Sequence, residues 1–172
     1  MKFKKIAIIG KYPSSEETKD IHDQLIQLIK HLSQKNIDLV IEEKTQKQIK
    51  LNKFNSLPLN KIGKQVDIAI VVGGDGTMLG VARALVDNGI PLIGINQGRF
   101  GFLADLNIDS MFSSIDNILD GLYIQDNRML IETTVVRNNK IIYESFALND
   151  IVVRSGLRLI ELEVIIDGRF VH

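Results

Sequence analysis

Five consecutive residues, Gly73-Gly74-Asp75-Gly76-Thr77, concentrate the chemistry of this 172-residue chain. They interrupt an apolar run, Ile68-Ala69-Ile70-Val71-Val72, and a helical pattern follows at once. Glycines at the carboxyl end of a buried strand let a ligand approach the backbone with no Cβ in the way. A helix starting there presents free N–H groups and a partial positive charge to a phosphate. Gly73, Gly74 and Thr77 are candidate phosphate contacts on this ground, and a plain tight turn is the simpler alternative. Asp75 fits less easily, because a carboxylate beside phosphates is repelled unless it has a task. Three tasks suit it: holding Mg2+, taking a proton from an attacking hydroxyl, or capping the following helix.

Two familiar phosphate motifs fail at this turn. A P-loop needs a lysine before its Ser/Thr, and Gly76 precedes Thr77. A dinucleotide fingerprint started at Gly74 and Gly76 would need glycine where Leu79 stands. The ribose-binding acid expected after the next strand is also missing, with Asn96 in its place.

The elements that must position the turn alternate. Phe3 to Gly10, Ile37 to Ile41, Asp67 to Val72 and Pro91 to Ile95 are apolar and rich in β-branched residues, as buried parallel strands are. Tyr12 to Glu17 reads as a loop in which Ser14 and Glu17 form a capping box. A helix to about Gln34 follows, with Ile21, Leu25, Leu28, Ile29 and Leu32 on one stripe. Thr77 to Asn88 and Ile108 to Leu122 read as further helices, the former closed by Gly89. Lys44 to Lys64 is polar and lysine-rich, and reads as a mobile solvated excursion with room for one short helix; a cover over a ligand is the alternative. Residues 1–124 are expected to form a Rossmann-like, doubly wound α/β domain with the glycine turn at its sheet edge.

Helical patterns stop near Gln125. Met129 to Val136 and Ile141 to Ala147 alternate as strands around an Asn138-Asn139 hairpin turn. Ile151 to Arg154 and Leu159 to Ile166 are further strand candidates, and Asp167-Gly168 is a second hairpin turn. Residues 125–172 are expected to be the opening strands of an incomplete all-β substrate domain. An incomplete antiparallel sheet exposes apolar faces and an unpaired edge, which calls for a partner chain or for further strands.

Composition narrows the function classes. The chain is 45% hydrophobic and 24% charged with zero formal net charge, so no basic excess points to nucleic acid. There is no cysteine for disulfides or thiolate chemistry. No apolar run reaches the roughly 18 residues of a spanning helix, and the apolar start is too short for a signal-peptide core. A cytoplasmic protein with no membrane partner is the expectation. His22 and His31 lack partners at metal-ligand spacing and read as solvated or satisfied, so no fixed metal site is expected.

Four segments together resemble the NAD kinase family. They are the Gly73–Thr77 turn followed by Met78-Leu79; Gly94-Ile95-Asn96-Gln97-Gly98-Arg99-Phe100-Gly101-Phe102-Leu103; Arg128-Met129-Leu130; and Ala147-Leu148-Asn149-Asp150, where the family has Asn-Glu. The resemblance spans nearly the whole chain but lacks the later Thr-Pro-Thr-Gly-Ser-Thr-Ala-Tyr-like segment, so the chain looks like the amino-terminal part of such an enzyme. It implies ATP-dependent phosphorylation of the adenosine 2′-hydroxyl of NAD to give NADP, with polyphosphate as donor in some members. It also implies Mg2+ carried in with ATP, and a dimer or tetramer in the intact protein. By the same resemblance Asp75 is the proton acceptor and, with Gly76, touches the nucleotide. Phe102 lies against adenine, Asn149 and Asp150 bind the nicotinamide side, and Arg158 falls near a further NAD contact. Diacylglycerol and sphingoid-base kinases carry a similar turn, so a lipid kinase is the competing enzyme class. A non-catalytic nucleotide-binding module is the third reading.

Overall fold

The apolar runs pair as a parallel sheet in the computed structural model, which describes residues 3–10, 18–96, 101–104, 106–156 and 158–172. Its strands are β1 (Lys5–Gly10), β2 (Asp38–Glu42), β3 (Asn55–Leu57), β4 (Ile68–Val72), β5 (Leu92–Asn96) and β6 (Leu106–Asn107). They stand in the order β3-β2-β1-β4-β5-β6 with every pairing parallel. The chain moves outward from β1 to β3, returns to the middle, and moves outward again from β4 to β6. That reversal leaves a crevice outside the carboxyl ends of β1 and β4, where open α/β sheets take their ligands. Gly10 lies opposite Val72 in the register, so both strands end at the same level.

Strand periodicity sends alternate side chains to opposite faces. Ile6 and Ile8 of β1 join a core with Leu25, Leu28, Ile29 and Leu32 of α1 (Thr18–Ser33) and Met111, Ile115 and Leu119 of α5 (Met111–Leu119). Ala7 and Ile9 join the other core with Ile62 of α3 (Leu59–Ile62) and Met78, Val81 and Leu85 of α4 (Asp75–Leu85). Gly89 closes the 3-10 turn after α4 in the left-handed region, at φ 60°, as its position predicts. The doubly wound α/β expectation holds. Among the described residues no helix is long and apolar enough to cross a membrane. The expected Tyr12–Glu17 loop and its Ser14–Glu17 box lie outside the described residues.

The segment from Lys44 to Lys64 is a correction. It holds a seven-residue helix, α2 (Glu43–Ile49), the edge strand β3 and α3. The reason lies in buried polar chemistry that periodicity does not register. Glu42, 1% exposed, caps α2: its Oε2 accepts the N–H of Thr45 at 2.8 Å and the Thr45 hydroxyl at 2.9 Å. The same hydroxyl oxygen accepts the N–H of Gly10 at 3.0 Å, tying α2 to the end of β1. Ile49 and Ile62 then bury one on each face of the sheet.

After α5 the strands become antiparallel. β7 (Ile131–Arg137) and β8 (Lys140–Ala147) pair from Ile131–Ala147 to Arg137–Lys140, with a bulge between Val135 and Val136. Asn138 and Asn139 both take positive φ, 50° and 57°, the requirement of a two-residue hairpin turn. Asp167 and Gly168, at φ 51° and 75°, turn the short pair β9 (Ile165–Ile166) and β10 (Arg169–Phe170). Ile151 to Arg154 and most of Leu159 to Ile166 correct the sequence expectation, because they form no strand. Their apolar content suits a sheet, but among the described residues only Val164, bonded to Val171 and His172 beyond the short hairpin, finds a chain alongside to take up its backbone groups.

Candidate functional site

The glycine turn sits at the carboxyl end of β4, facing the crevice. Gly73 continues the sheet: its N–H donates to the Ile95 carbonyl at 2.9 Å. Gly74 is the N-cap of α4, with φ −89° and ψ −176° and no side-chain cap. Its carbonyl accepts the N–H groups of Thr77 at 3.0 Å and Met78 at 3.2 Å. A Cβ added to Gly74 or Gly76 would meet nothing within 4 Å, so the backbone of the turn is open on that side.

Asp75 does not cap the helix. It is the first residue of α4, and its carboxylate turns to the second glycine segment instead. Oδ2 accepts the N–H of Phe102 at 2.8 Å and Oδ1 accepts the N–H of Leu103 at 3.2 Å. Two glycines permit this close approach. A Cβ on Gly101 would collide with the Asp75 carboxylate, and one on Gly94 would come within 2.8 Å of the Ala104 Cα. The segment Gly101–Ala104 is thereby seated on β5 and against Asp75 at once. Two backbone donors fix the carboxylate but leave lone pairs for another proton donor, since a carboxylate has about four acceptor positions. Among the described residues no group of three or more His, Asp or Glu is placed to hold a metal ion.

Phe102 presents its ring to solvent, 90% exposed, while its backbone is held at both ends. Its carbonyl accepts the Arg128 Nη1–H at 3.3 Å, and Arg128 Nε donates to Asp126 at 2.9 Å. Asn149 and Asp150 follow β8, which reaches α4, and both are exposed. Arg158 is exposed too, and its carbonyl accepts the Ser155 hydroxyl. The structure thus joins Asp75 to Phe102 directly, sets Gly73, Gly74, Gly76 and Thr77 around them, and leaves Asn149, Asp150 and Arg158 on the later segment. The contact of Arg128 with this assembly, and the part of the Leu103 amide, are absent from the sequence reading. Only the glycine at position 101, beside an aromatic residue, hinted that another group comes close there.

Two carboxylates elsewhere are more acidic than usual, and both brace the frame. The N–H groups of Lys4 and Lys5, at 2.7 and 2.9 Å from Oδ2, hold Asp67 below the ordinary carboxylate value. Burial pushes Asp116 up, but hydrogen bonds from His31 at 2.7 Å and Lys35 at 2.9 Å outweigh it and the net shift is downward. His31 is therefore a satisfied histidine that links α1 to α5.

Known proteins resemble this chain in sequence and in fold. The chain is 43% identical over 172 residues to an NAD kinase of Nitrosomonas eutropha, covering 99% of this chain and 57% of that protein. It is 39% identical over 177 residues to an NAD kinase of an Acidovorax species, covering 98% and 58%. The chain therefore spans somewhat more than half the length of the curated relatives it matches. Its fold superposes on yeast NADH kinase, solved in complex with NADH, with a TM-score of 0.79 at 16% identity, over 100% of this chain and 55% of that one. The model of the ATP-NAD kinase N-terminal domain matches residues 6–123, from β1 through the glycine turn to the end of α5, and the chain belongs to that family.

Proposed function

We propose that this chain supplies the nucleotide-binding α/β half, residues 1–124, and the first strands of the substrate half, residues 125–172, of an enzyme that phosphorylates the adenosine 2′-hydroxyl of NAD. The observation that carries the reading is the Asp75 carboxylate, held by the Phe102 and Leu103 amides beside an exposed aromatic ring and an open glycine turn. NAD kinase relatives and a fold neighbour complexed with NADH support the choice of nucleotide over lipid alcohol.

In this reading the adenine lies on Phe102 and the ribose reaches Asp75 and Gly76. Asp75 takes the 2′-hydroxyl proton as the new O–P bond forms and the bond from the terminal phosphorus to ADP breaks. Phosphoryl transfer needs positioning and charge stabilisation more than covalent chemistry, and a fixed carboxylate supplies the first. Gly73, Gly74 and Thr77 offer backbone donors to the phosphates. The ATP phosphates would carry Mg2+, which would supply charge neutralisation on the phosphoryl group, and no residue of this chain is assigned to hold it. Asn149, Asp150 and Arg158 meet the nicotinamide side. The intact enzyme is an oligomer, dimer or tetramer, working in the cytoplasm.

The test is NADP formation by the full-length enzyme with Mg·ATP and NAD, with a diacylglycerol as competing acceptor. Asp75→Asn is expected to lower kcat by at least about 10²-fold, the low end of general-base assistance, with little change in folding. Near-normal turnover in that variant removes the base assignment, and transfer to the lipid alone removes the substrate assignment.

A further inference from the structure

The peptide unit between Phe102 and Leu103 is held from both sides. Its carbonyl oxygen accepts the Arg128 guanidinium at 3.3 Å, and its N–H, that of Leu103, donates to Asp75 Oδ1 at 3.2 Å. A cation, one peptide and a carboxylate thus form a single hydrogen-bonded row. Each bond in such a row polarises the next, so the guanidinium strengthens the amide as a donor to Asp75. The row also fixes the sense of the peptide. Turned over, it would aim a carbonyl oxygen at a carboxylate.

We propose that Arg128 is a positioning residue of this site, one that holds Asp75 through the Phe102–Leu103 peptide. The proposal rests on Asp75 being the proton acceptor. Arg128 itself is anchored: its Nε donates to Asp126 at 2.9 Å, which leaves Nη1 aimed at the loop. As a surface ion pair, Asp126–Arg128 would contribute little, because both side chains are well exposed. Its consequence lies in the carbonyl contact, which reaches across 26 residues of chain to the group that holds the base. When Asp75 takes a proton its pull on the two amides weakens. The guanidinium then keeps the peptide in place until the proton leaves. The base is thereby supported by a residue outside the parallel sheet, on the segment leading into β7.

The test combines a spectroscopic and a kinetic readout. In residues 1–172 labelled with 15N-leucine, Arg128→Met is expected to move the Leu103 amide proton upfield, and Arg128→Lys to restore part of the shift. The effect is expected to shrink when Asp75→Asn is already present, since the two changes act on one row. In the full-length enzyme Arg128→Met is expected to lower kcat roughly three- to ten-fold, the loss of one hydrogen bond, with the KM for ATP unchanged. An unmoved Leu103 amide, or the same displacement with and without Asp75→Asn, overturns the proposal whatever the kinetics. If instead Asp75→Asn proves fully active while the Leu103 amide still answers to Arg128, the row stands and the base assignment fails.

Discussion

The same residue types meet opposite fates in the two parts of this chain. Ile8 in β1 and Ile70 in β4 are 0% exposed, each flanked by strands and covered by helices. Ile141 and Ile142 in β8 are 60% and 52% exposed, in a hairpin of equally regular pairing. Apolar, β-branched sequence is enough to make a strand in both. It makes a core only where a second layer arrives to cover it. A two-stranded hairpin has a hydrogen-bonded ladder but no layer, and such pairs have little stability of their own. The parallel sheet and its helices therefore give the Asp75 turn a covered base, whereas the apolar side chains of the hairpin stay largely exposed.

The largest expected effect tests that contrast directly. Ile70→Ala should cost about 2–5 kcal/mol of unfolding free energy, the range for emptying a packed site, whereas Ile142→Ala should stay within about 0.5 kcal/mol. Urea unfolding of both variants checks it, and equal losses would break the comparison. A smaller effect probes the polar part of the sheet. Thr45→Val keeps the shape of the side chain but strips the Gly10 N–H and Glu42 of a shared partner. A loss of about 1–3 kcal/mol is expected, as for other buried groups left without a bond. A value near zero would mean that this network does not hold α2 on the sheet.

The smallest effect is a pH dependence. Asp67 has a depressed folded value because the Lys4 and Lys5 N–H groups bind its ionised form. The unfolded chain takes up that proton first, near the ordinary aspartate value of about 3.9. The stability Asp67 contributes is thus fully present above that value and is lost as pH falls through the depressed one. The difference in urea midpoint between the native sequence and Asp67→Asn should shrink between neutral pH and about pH 3. A difference that holds constant over that interval would show that the two amides do not favour the carboxylate.

What the sequence made legible follows from the range of the forces involved. Strands β1, β2, β4 and β5 are short apolar runs, and both hairpin turns are asparagine, aspartate or glycine at positive φ, so local residue type decides them. The α2–β3–α3 stretch was not legible, because its cap, Glu42, is a buried carboxylate that looks like any surface acid until Thr45 folds over it. Ile151 to Arg154 misled in the other direction, since a strand needs a neighbour and apolar content does not provide one. At the site, the turn and Asp75 stand out as residue types in a row. Asp75 could be read as a cap, a metal ligand or a base from its neighbours alone. The cap reading falls away only with the Phe102 and Leu103 amides, 27 and 28 residues away along the chain, which hold the carboxylate instead.

Gly101 carries a consequence for reading natural variants. Exchange of glycine for alanine adds one methyl group, no charge and little bulk, and in a loop it would ordinarily be passed over as benign. Here the methyl would be driven into the Asp75 carboxylate. Either the carboxylate or the loop whose two amides hold it would have to shift. With Asp75 as the proposed base, turnover rather than abundance is the measurement that would register the change.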